Sequence, residues 1–391
     1  MQPSSELQSV PTVAVGATRR GASSSRDART AARELHRAIA QPDTALAVFF
    51  CSPEYDLDLL AAELALLFQG VNLVGCTTAG EISALGYGTG TLAGVSFAGG
   101  EFSVATTRMD GLARLEVATA QAAATEAIER MQASGRVVDA RNTFAFLLVD
   151  GLSQQEESLV GALFHGLRDI QLFGGSAGDG LSFKNTFVYH EGRFRQDCAV
   201  LSLICTARPF LVFKTQHFVS SENKMVVTEA RPLERVVTEI DGEPAAREYA
   251  RLVGLEVDNL TPMIFAAYPV IVKVGGDYYV RSIQKVNDDE SLTFFCAIDE
   301  GVVLTVARGI DLIKNLRQTF ETVRNQIGEP ELVLGCDCIL RHIEIGQRQL
   351  AVEVGQIFEE NRVVGFATYG EQFNAMHVNQ TFTGVAIGGP R

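Results

Sequence analysis

Three related segments of the 391-residue chain decide its fold: LVGCTTAGE (Leu73–Glu81), LFGGSAGD (Leu172–Asp179) and VVGFATYGE (Val363–Glu371). Each starts with apolar residues, passes through glycine and ends on a glycine followed by an acidic residue. The first and third align without a gap, and the second is one residue shorter. Self-similarity of this kind indicates a repeated structural unit, and duplication of one ancestral unit is the simplest account.

The surroundings of the three segments repeat as well. Each segment follows a helix-like stretch and, before it, a short apolar run: Leu46–Cys51, Phe144–Val149 or Leu332–Cys336. Unbroken apolar runs of this length are typical of strands buried on both faces. Each unit is therefore predicted to be strand, helix, strand. The fold class that follows is α/β (mixed α+β), with two domains built from repeated strand-helix-strand units and mixed sheets.

The pattern changes between the second and third units. A helix-like stretch begins at Asp241, and Pro269–Ile283 alternates around a Gly275-Gly276-Asp277 turn, which indicates a hairpin. We place a domain boundary near Ile240, giving a flexible N-terminus at 1–11 and domains at 12–240 and 241–391. Within the first domain, Thr12–Ala17 is predicted to be a strand.

Composition and charge exclude several classes of function. Hydrophobic residues make up 47% of the chain and charged residues 20%, which is typical of a globular protein. The net charge of −14 argues against a nucleic-acid surface and against binding to anionic membranes. No stretch approaches the roughly 18–20 apolar residues of a membrane helix, and the start does not resemble a secretory signal. We expect a cytoplasmic protein.

The seven cysteines stand mostly in apolar runs, so we expect them to be reduced and buried. Cys336 and Cys338 form a C-x-C pair without a second pair nearby, and a core strand is the favoured interpretation over a zinc site.

Enzyme signatures are scarce. The glycines of Gly88–Gly94 lack the Lys-Ser/Thr ending of a P-loop, and Gly175–Gly178 lacks the G-x-S-x-G spacing of a hydrolase nucleophile. The acidic residues that end the repeats, Glu81, Asp179 and Glu371, could converge as general bases or could simply cap turns. The preferred interpretation is a protein that is not an enzyme.

Of the six histidines, His217 has the pattern best suited to a cofactor. In Phe210–Val219, strand alternation places its imidazole on the face of Phe213, Thr215 and Val219. A neutral imidazole in an apolar pocket is what an axial haem ligand requires. The alternative is a core histidine bonded to a backbone carbonyl.

His377 has a different setting, in the run AMHVNQTFT. A period of two groups it with Asn379, Thr381 and Thr383 on one face of a C-terminal strand. That face is either ligand-facing or a solvent-exposed edge. His190 ends a strand before a turn, and the last three histidines are predicted to be solvated: His36, His165 and His342.

Several of these segments resemble the motifs of the FIST sensory module, with its FIST-N and FIST-C parts. They are LVGCTTAGEI, LFGGSAGDG, the His-x-Asn-x-Thr run at His377 and the Tyr369-Gly370-Glu371 turn. The resemblance extends from about Thr12 to Ile387 and implies a small-ligand sensor. The ligand contacts expected in that case are His377, Asn379, Thr381 and the turn residues Gly80, Glu81, Gly370 and Glu371.

The stretch FKTQHF (Phe213–Phe218) is similar to the NosP subgroup. That resemblance implies haem, nitric oxide as the signal, and a partner histidine kinase or a cyclic-di-GMP cyclase or phosphodiesterase. Any haem would be b-type and non-covalent, since no C-x-x-C-H motif occurs. His217 is then the expected iron ligand, with His377 and His190 as competitors. The rival hypotheses are a module that binds a metabolite such as an amino acid and a carboxylate-dependent enzyme; a homo-oligomer is left open.

Overall fold

The computed structural model describes residues 16–84 and 86–390 of the chain. The predicted flexible segment 1–11 and most of the predicted strand Thr12–Ala17 lie outside the described residues. The first strand that is described begins at Thr18. Within the described part of the chain, no helix has the length and apolar character needed to cross a membrane.

The first unit contains the first repeat segment between an outer strand and a return strand. Its elements are β1 (Thr18–Ser23), α1 (Ala28–Ile39), β2 (Thr44–Cys51), α2 (Leu57–Leu67), β3 (Leu73–Thr77), β4 (Glu81–Ser83), β5 (Gly86–Gly88) and β6 (Leu92–Ala98).

The second unit has the same order of elements. They are β7 (Phe102–Asp110), α3 (Val117–Ala133), β8 (Thr143–Val149), α4 (Glu156–Leu167), β9 (Gln171–Ser176), β10 (Val188–His190), β11 (Arg193–Arg195) and β12 (Cys198–Thr206).

The third unit is interrupted after its outer strand, β13 (Phe210–Thr215), by residues 218–309, here called the insert. The insert contains β14 (Phe218–Arg231), β15 (Val236–Ile240), β16 (Glu243–Pro244), α5 (Ala245–Val253), α6 (Pro262–Ala267), β17 (Val270–Val274), β18 (Asp277–Arg281), β19 (Ile283–Val286), β20 (Leu292–Phe294) and β21 (Val303–Gly309). The unit then continues with α7 (Leu312–Ile327), β22 (Pro330–Cys338), α8 (Ile339–Gln347), α9 (Ala351–Glu360), β23 (Val363–Thr368), β24 (Glu371–Phe373), β25 (Met376–Val378) and β26 (Phe382–Gly388).

Each unit forms a six-stranded sheet that is completed by a hairpin from another unit. The sheet orders are β1-β6-β2-β3-β10-β11, β7-β12-β8-β9-β24-β25 and β13-β26-β22-β23-β4-β5. The second unit thus completes the first sheet, the third completes the second, and the first completes the third. This cyclic exchange gives the three units an approximate threefold arrangement.

The repeated glycine explains why the three segments resemble one another. Gly75, Gly174 and Gly365 each lie opposite a residue of the parallel neighbouring strand. A Cβ built on any of them would overlap the backbone carbonyl oxygen of that residue, which is Phe49, Leu147 or Gly335. Only glycine permits this close approach.

The three sheets share one apolar core, and the insert has its own. In the shared core, Phe50 of the first unit stacks on Phe366 of the third with ring centroids 4.5 Å apart. The insert is an antiparallel eight-stranded sheet covered by α5 and α6, whose core includes Tyr249 and Phe265. The mixed α+β class predicted from sequence is confirmed. The boundary near Ile240 stays a prediction; Ile240 is the last residue of β15.

Candidate functional site

The three hairpins provide an internal comparison of equivalent positions. In each hairpin, one residue lies directly opposite the repeated glycine of the sheet that it completes. These opposed pairs are Tyr189 and Gly75, Ile82 and Gly365, and Gln372 and Gly174. The cross-hairpin partners of the three residues are Phe194, Tyr87 and His377. Directly opposed residues of an antiparallel pair project from the same face, so each pair forms one contact surface.

Two of the three surfaces are built from apolar and aromatic residues. Tyr189 and Phe194 pack with ring centroids 5.2 Å apart, and both rings also contact Phe49. The equivalent pair in the third sheet is Ile82 and Tyr87. The pair in the second sheet is Gln372 and His377, which is polar although the two residues are 0% and 2% exposed. One of the three junctions therefore has a glutamine and a histidine where the other two have aromatic and aliphatic residues.

The polar junction contains several buried atoms without a hydrogen-bond partner among the residues that the structure describes. They are both ring nitrogens of His377, Oε1 of Gln372 and Nδ2 of Asn379. The ring of His377 lies on Gly370, and a Cβ built on that glycine would be 2.7 Å from Nε2 of His377 and 3.2 Å from Nδ2 of Asn379. Gln372, His377 and Asn379 above Gly370 are called the His377 site from here on.

One wall of the His377 site carries buried charge. Gln372 donates through Nε2 to Oγ of Ser176 (3.0 Å), and Ser176 donates to Glu156 (3.2 Å). Arg235 of the insert donates to Glu156 (2.6 Å) and to Glu157 (2.7 Å), while its Nε has no partner among the described residues.

Burial and charge pairing act in opposite directions on the pKa values of this wall. Burial opposes the charge on Arg235, but the two carboxylates outweigh it and raise its pKa. Burial would raise the pKa of Glu157, yet His377 and Arg235 hold it below its ordinary value. The wall thus presents a paired arginine and two carboxylates next to the unpaired imidazole.

The insert covers the other side of the site. Arg281 donates to the carbonyl oxygen of His377 (3.1 Å), and the N–H of Ser282 donates to Oδ1 of Asn379 (3.4 Å). Oγ of Ser282 has no partner among the described residues. Burial lowers the pKa of His377, with Glu157 opposing it, so the imidazole is neutral near pH 7 and offers one donor and one acceptor.

His377 and Asn379 are not brought together by the predicted strand. The single C-terminal strand expected over His377–Thr383 is wrong, because β25 ends at Val378 and β26 begins at Phe382 in another sheet. Thr381 belongs to the connection and donates to Glu371 instead of facing the site.

His217 lies between β13 and β14 and not within a strand, so the predicted alternation through it is wrong. The chain turns there into the insert, which leaves Val219 37% exposed and His217 fully buried. Its Nδ1 accepts from Arg341 (2.8 Å), so the proton is on Nε2, which donates to Glu344 (2.8 Å). Burial lowers the pKa of His217, and the bond to Glu344 opposes that shift.

Haem requires an imidazole nitrogen that is free to bind iron. As arranged here, His217 does not fit, because both of its ring nitrogens are engaged and its side chain is fully enclosed. Both ring nitrogens of His377 lack a partner among the described residues, but Gly370 lies against the ring and polar residues surround it. No group of three or more His, Cys, Asp or Glu side chains within residues 16–84 and 86–390 could hold a metal ion.

The acidic residues of the first and third repeats form the same local network. Glu81 accepts from Thr78 and Thr91, and Glu371 accepts from Thr368 and Thr381. Burial raises the pKa of Glu81 to about 7 and that of Glu371 to about 8.

In the second repeat, Asp179 has a different set of partners. It accepts the backbone N–H groups of Phe183, Lys184 and Asn185. Gly80 and Glu81 border a cavity of about 280 Å³ that Asp179 also lines. Glu371 is not among the residues lining this cavity.

Two other histidines lie away from the His377 site. His190 ends β10 with a half-buried ring beside Glu191, and burial lowers its pKa. The prediction that His342 is solvated is wrong, because its ring packs 4.6 Å from that of Tyr87. That contact joins α8 to a hairpin of the first unit, which the helical pattern of α8 alone cannot indicate.

The sequence contains a signal for Gln372, a residue that the three repeat segments alone do not indicate. Gln372 follows Gly365 at the same distance as Ile82 follows Gly75, and His377 likewise matches Tyr87. Aligning the hairpins as well as the repeat segments would have singled out this pair. Four further residues carry no such signal, since the packing of α4 and of the insert around the third hairpin brings them to the site: Glu156 and Glu157 of α4, and Arg235 and Ser282 of the insert.

Comparison with known proteins shows that the chain belongs to the FIST family. The FIST N domain matches residues 45–243 and the FIST C domain matches residues 245–374. FIST domains are sensory modules of signalling proteins.

An uncharacterized protein of Methanocaldococcus jannaschii is 22% identical over 279 residues, which are 62% of this chain and 54% of that protein. The chain therefore spans about half the length of this relative.

Proposed function

We propose that this FIST protein senses a small polar metabolite bound at the His377 site. The observation that carries the proposal is the replacement of an apolar junction by Gln372 and His377. The two equivalent junctions pair Tyr189 with Phe194 and Ile82 with Tyr87, and neither has an unpaired buried side-chain atom among the described residues, so the architecture itself does not require unpaired polar atoms here. Polar groups at a position that favours a packed core are a recognised sign of function.

The free-energy cost of burying unpaired polar atoms also supports a ligand at this site. Leaving a buried polar atom unpaired costs about 1–3 kcal/mol, and the His377 site has four such atoms. A bound molecule that pairs with these atoms would recover that free energy.

The chemistry of the walls favours a ligand that carries both charges, such as an amino acid. Glu157 is suited to an ammonium group, while Arg281 and the amide of Asn379 are suited to a carboxylate. The neutral imidazole of His377 can donate to or accept from a polar side chain of the ligand. The expected signal is a change in how the insert contacts the site, read by a signalling partner.

The test replaces the polar pair by the residues of an equivalent junction, Gln372→Ile with His377→Tyr. Isothermal titration with the proteinogenic amino acids, one at a time, should show binding to the unmodified protein and none to the double variant. Its free energy of unfolding in urea should stay equal or rise, because the replacement removes three of the four unpaired atoms. His165→Tyr, an exposed histidine of α4, is the control and should bind normally.

Two results would contradict the proposal. One is binding that survives the double replacement. The other is a loss of more than about 2 kcal/mol of stability in the double variant, since removing a satisfied polar network has that effect.

A second candidate function, haem binding with nitric oxide as the signal, has one observation in its favour. A cleft of about 590 Å³ lies beside the bond between His217 and Glu344. Phe218 and Tyr268 line it, and Arg308 and Arg348 could pair with propionate groups. Iron ligation would require the bond between His217 and Glu344 to open.

A kinase or cyclic-di-GMP enzyme as partner belongs to this second proposal. Haemin titration separates the two candidates. A Soret band that His217→Ala abolishes would favour the haem hypothesis, and a colourless protein that binds an amino acid would favour the first.

A further inference from the structure

The insert closes the His377 site against solvent. Gln372, His377 and Asn379 are at most 2% exposed, and Arg281 and Ser282 of the insert bond to the last two. A ligand can reach a site of this kind only when the cover moves. The question is therefore where the insert can pivot.

The two connections of the insert to the third unit lie side by side. The chain enters through Gln216 and His217 and leaves through Ile310 and Asp311. The N–H of Ile310 donates to the carbonyl oxygen of His217 (2.8 Å). Two short linkers that meet at one point have the geometry of a hinge.

The side chain of His217 fastens this hinge to α8. Arg341 and Glu344, both on α8, occupy its two ring nitrogens at 2.8 Å. Arg341 also donates to Asp337 (2.6 Å), which accepts from Tyr87 of the first unit. The hinge is thus bonded to two of the three units through one imidazole.

The cleft of about 590 Å³ adjoins the hinge and separates part of the insert from α8. It is lined by Phe218 and Tyr268 on the insert side, by Ile310 of the exit linker, by Glu344 of α8 and by Arg348, which follows that helix. Movement of the insert about the linkers would change the width of this cleft without requiring either core to unfold.

We propose that the insert opens and closes over the His377 site about the hinge at His217 and Ile310, and that the imidazole of His217 is the latch of the closed state. The part of this proposal that concerns access of a ligand rests on the proposed function. The part that concerns motion of the insert does not. Loss of the bond between His217 and Glu344 raises the open population, and replacement of Gln372, whose side chain bonds to Ser176 and Gly370 and not to the insert, does not.

Chemical modification of His377 measures the opening without a ligand. Diethyl pyrocarbonate acylates neutral imidazoles that it can reach, and mass spectrometry of peptides gives the rate at each histidine. In the unmodified protein, His377 should react far more slowly than the exposed His165. In Glu344→Ala, which removes the acceptor of the His217 N–H, the rate at His377 should rise about tenfold while that at His165 stays constant, as expected for a shift of 1.4 kcal/mol in the opening equilibrium.

Matched variants keep the test decisive. His217→Ala should resemble Glu344→Ala, and Gln347→Ala, which lies on the same helix and lines the cleft, should resemble the unmodified protein. If His217→Ala does not fold, the comparison of Glu344→Ala with Gln347→Ala still decides. Equal rates at His377 in all variants would overturn the latch, as would a rate at His377 equal to that at His165 in the unmodified protein.

The latch and the proposed function can fail separately. Accelerated modification in Glu344→Ala without any amino acid binding to the unmodified protein supports the hinge and removes the ligand proposal. Amino acid binding that depends on Gln372 and His377, together with unchanged modification rates, keeps the ligand proposal and overturns the latch.

Discussion

Glu81 and Glu371 occupy equivalent positions in two repeats and accept from equivalent threonines, yet their surroundings differ. Burial raises the pKa of Glu371 to about 8 and that of Glu81 to about 7, from an ordinary value of 4.5. The hydroxyl donors favour the ionised form, but in both cases desolvation prevails. Each carboxyl therefore keeps its proton at pH values where an unfolded chain has lost it.

The sign of the resulting pH dependence follows from linkage. Between about pH 4.5 and pH 8 the folded state binds more protons at Glu371 than the unfolded state does, so stability falls as the pH rises through that window. The loss is on the order of 1.4 kcal/mol for each unit of pKa difference.

Glu371→Gln is expected to flatten this dependence, because the amide imitates the protonated carboxyl. Relative to the unmodified protein, its free energy of unfolding in urea should increase from pH 5 to pH 8 and then level off. Glu81→Gln, with the same hydrogen bonds, should show a smaller gain that levels off near pH 7. A difference between Glu371→Gln and the unmodified protein that does not vary with pH would contradict the assignment.

At the scale of elements, the repeated glycine is the residue whose identity the structure explains most directly. A side chain on Gly174 would overlap the carbonyl oxygen of Leu147 in the parallel strand, and both residues are buried within β8 and β9. Gly161, in the middle of α4, has no atom within 4 Å of a built Cβ. The two glycines of the same unit thus differ in whether the structure has room for a side chain.

Gly174→Ala should therefore lower the free energy of unfolding by about 3 kcal/mol, because overpacking a buried strand pair forces the backbone apart. Gly161→Ala should instead raise it by roughly 0.5–1 kcal/mol, since alanine is the better helix former. Urea denaturation of both variants measures the contrast. A mild effect of Gly174→Ala would show that β8 and β9 can separate without loss.

Local sequence patterns were sufficient for the three repeated strand-helix-strand units. The apolar run Leu46–Cys51 is buried in β2, and the predicted strand-helix-strand units are all present. Local sequence patterns were insufficient for the hairpins, because β4, β10 and β24 pair with strands of other units. Hydrophobic periodicity contains no information about which strand a given strand pairs with. The setting of His217 was missed for a related reason. The continuous pattern Phe210–Val219 hides the point at which the chain leaves the third unit.

At the scale of the molecule, the exchange of hairpins makes the three units interdependent. Without β24 and β25 the second sheet ends at β9, and without β23 the hairpin of β4 and β5 has no sheet to join. The shared core has the same property, since Phe50 of the first unit stacks on Phe366 of the third. The insert differs, because its core consists of its own residues.

A fragment of residues 12–240 tests this interdependence. It contains the first two units, but it lacks the strands that complete the second sheet and the third wall of the shared core, so exposed edges and apolar surface should make it unfolded or prone to aggregate. Calorimetry should show no cooperative transition in the fragment and at least one in the full chain. Adding residues 241–391 as a separate polypeptide should restore a cooperative transition, because the missing strands then pair across the break. A sharp transition in the fragment alone would mean that the first two units form a core without the third, and the cyclic exchange would then be a late docking step instead of a condition for folding.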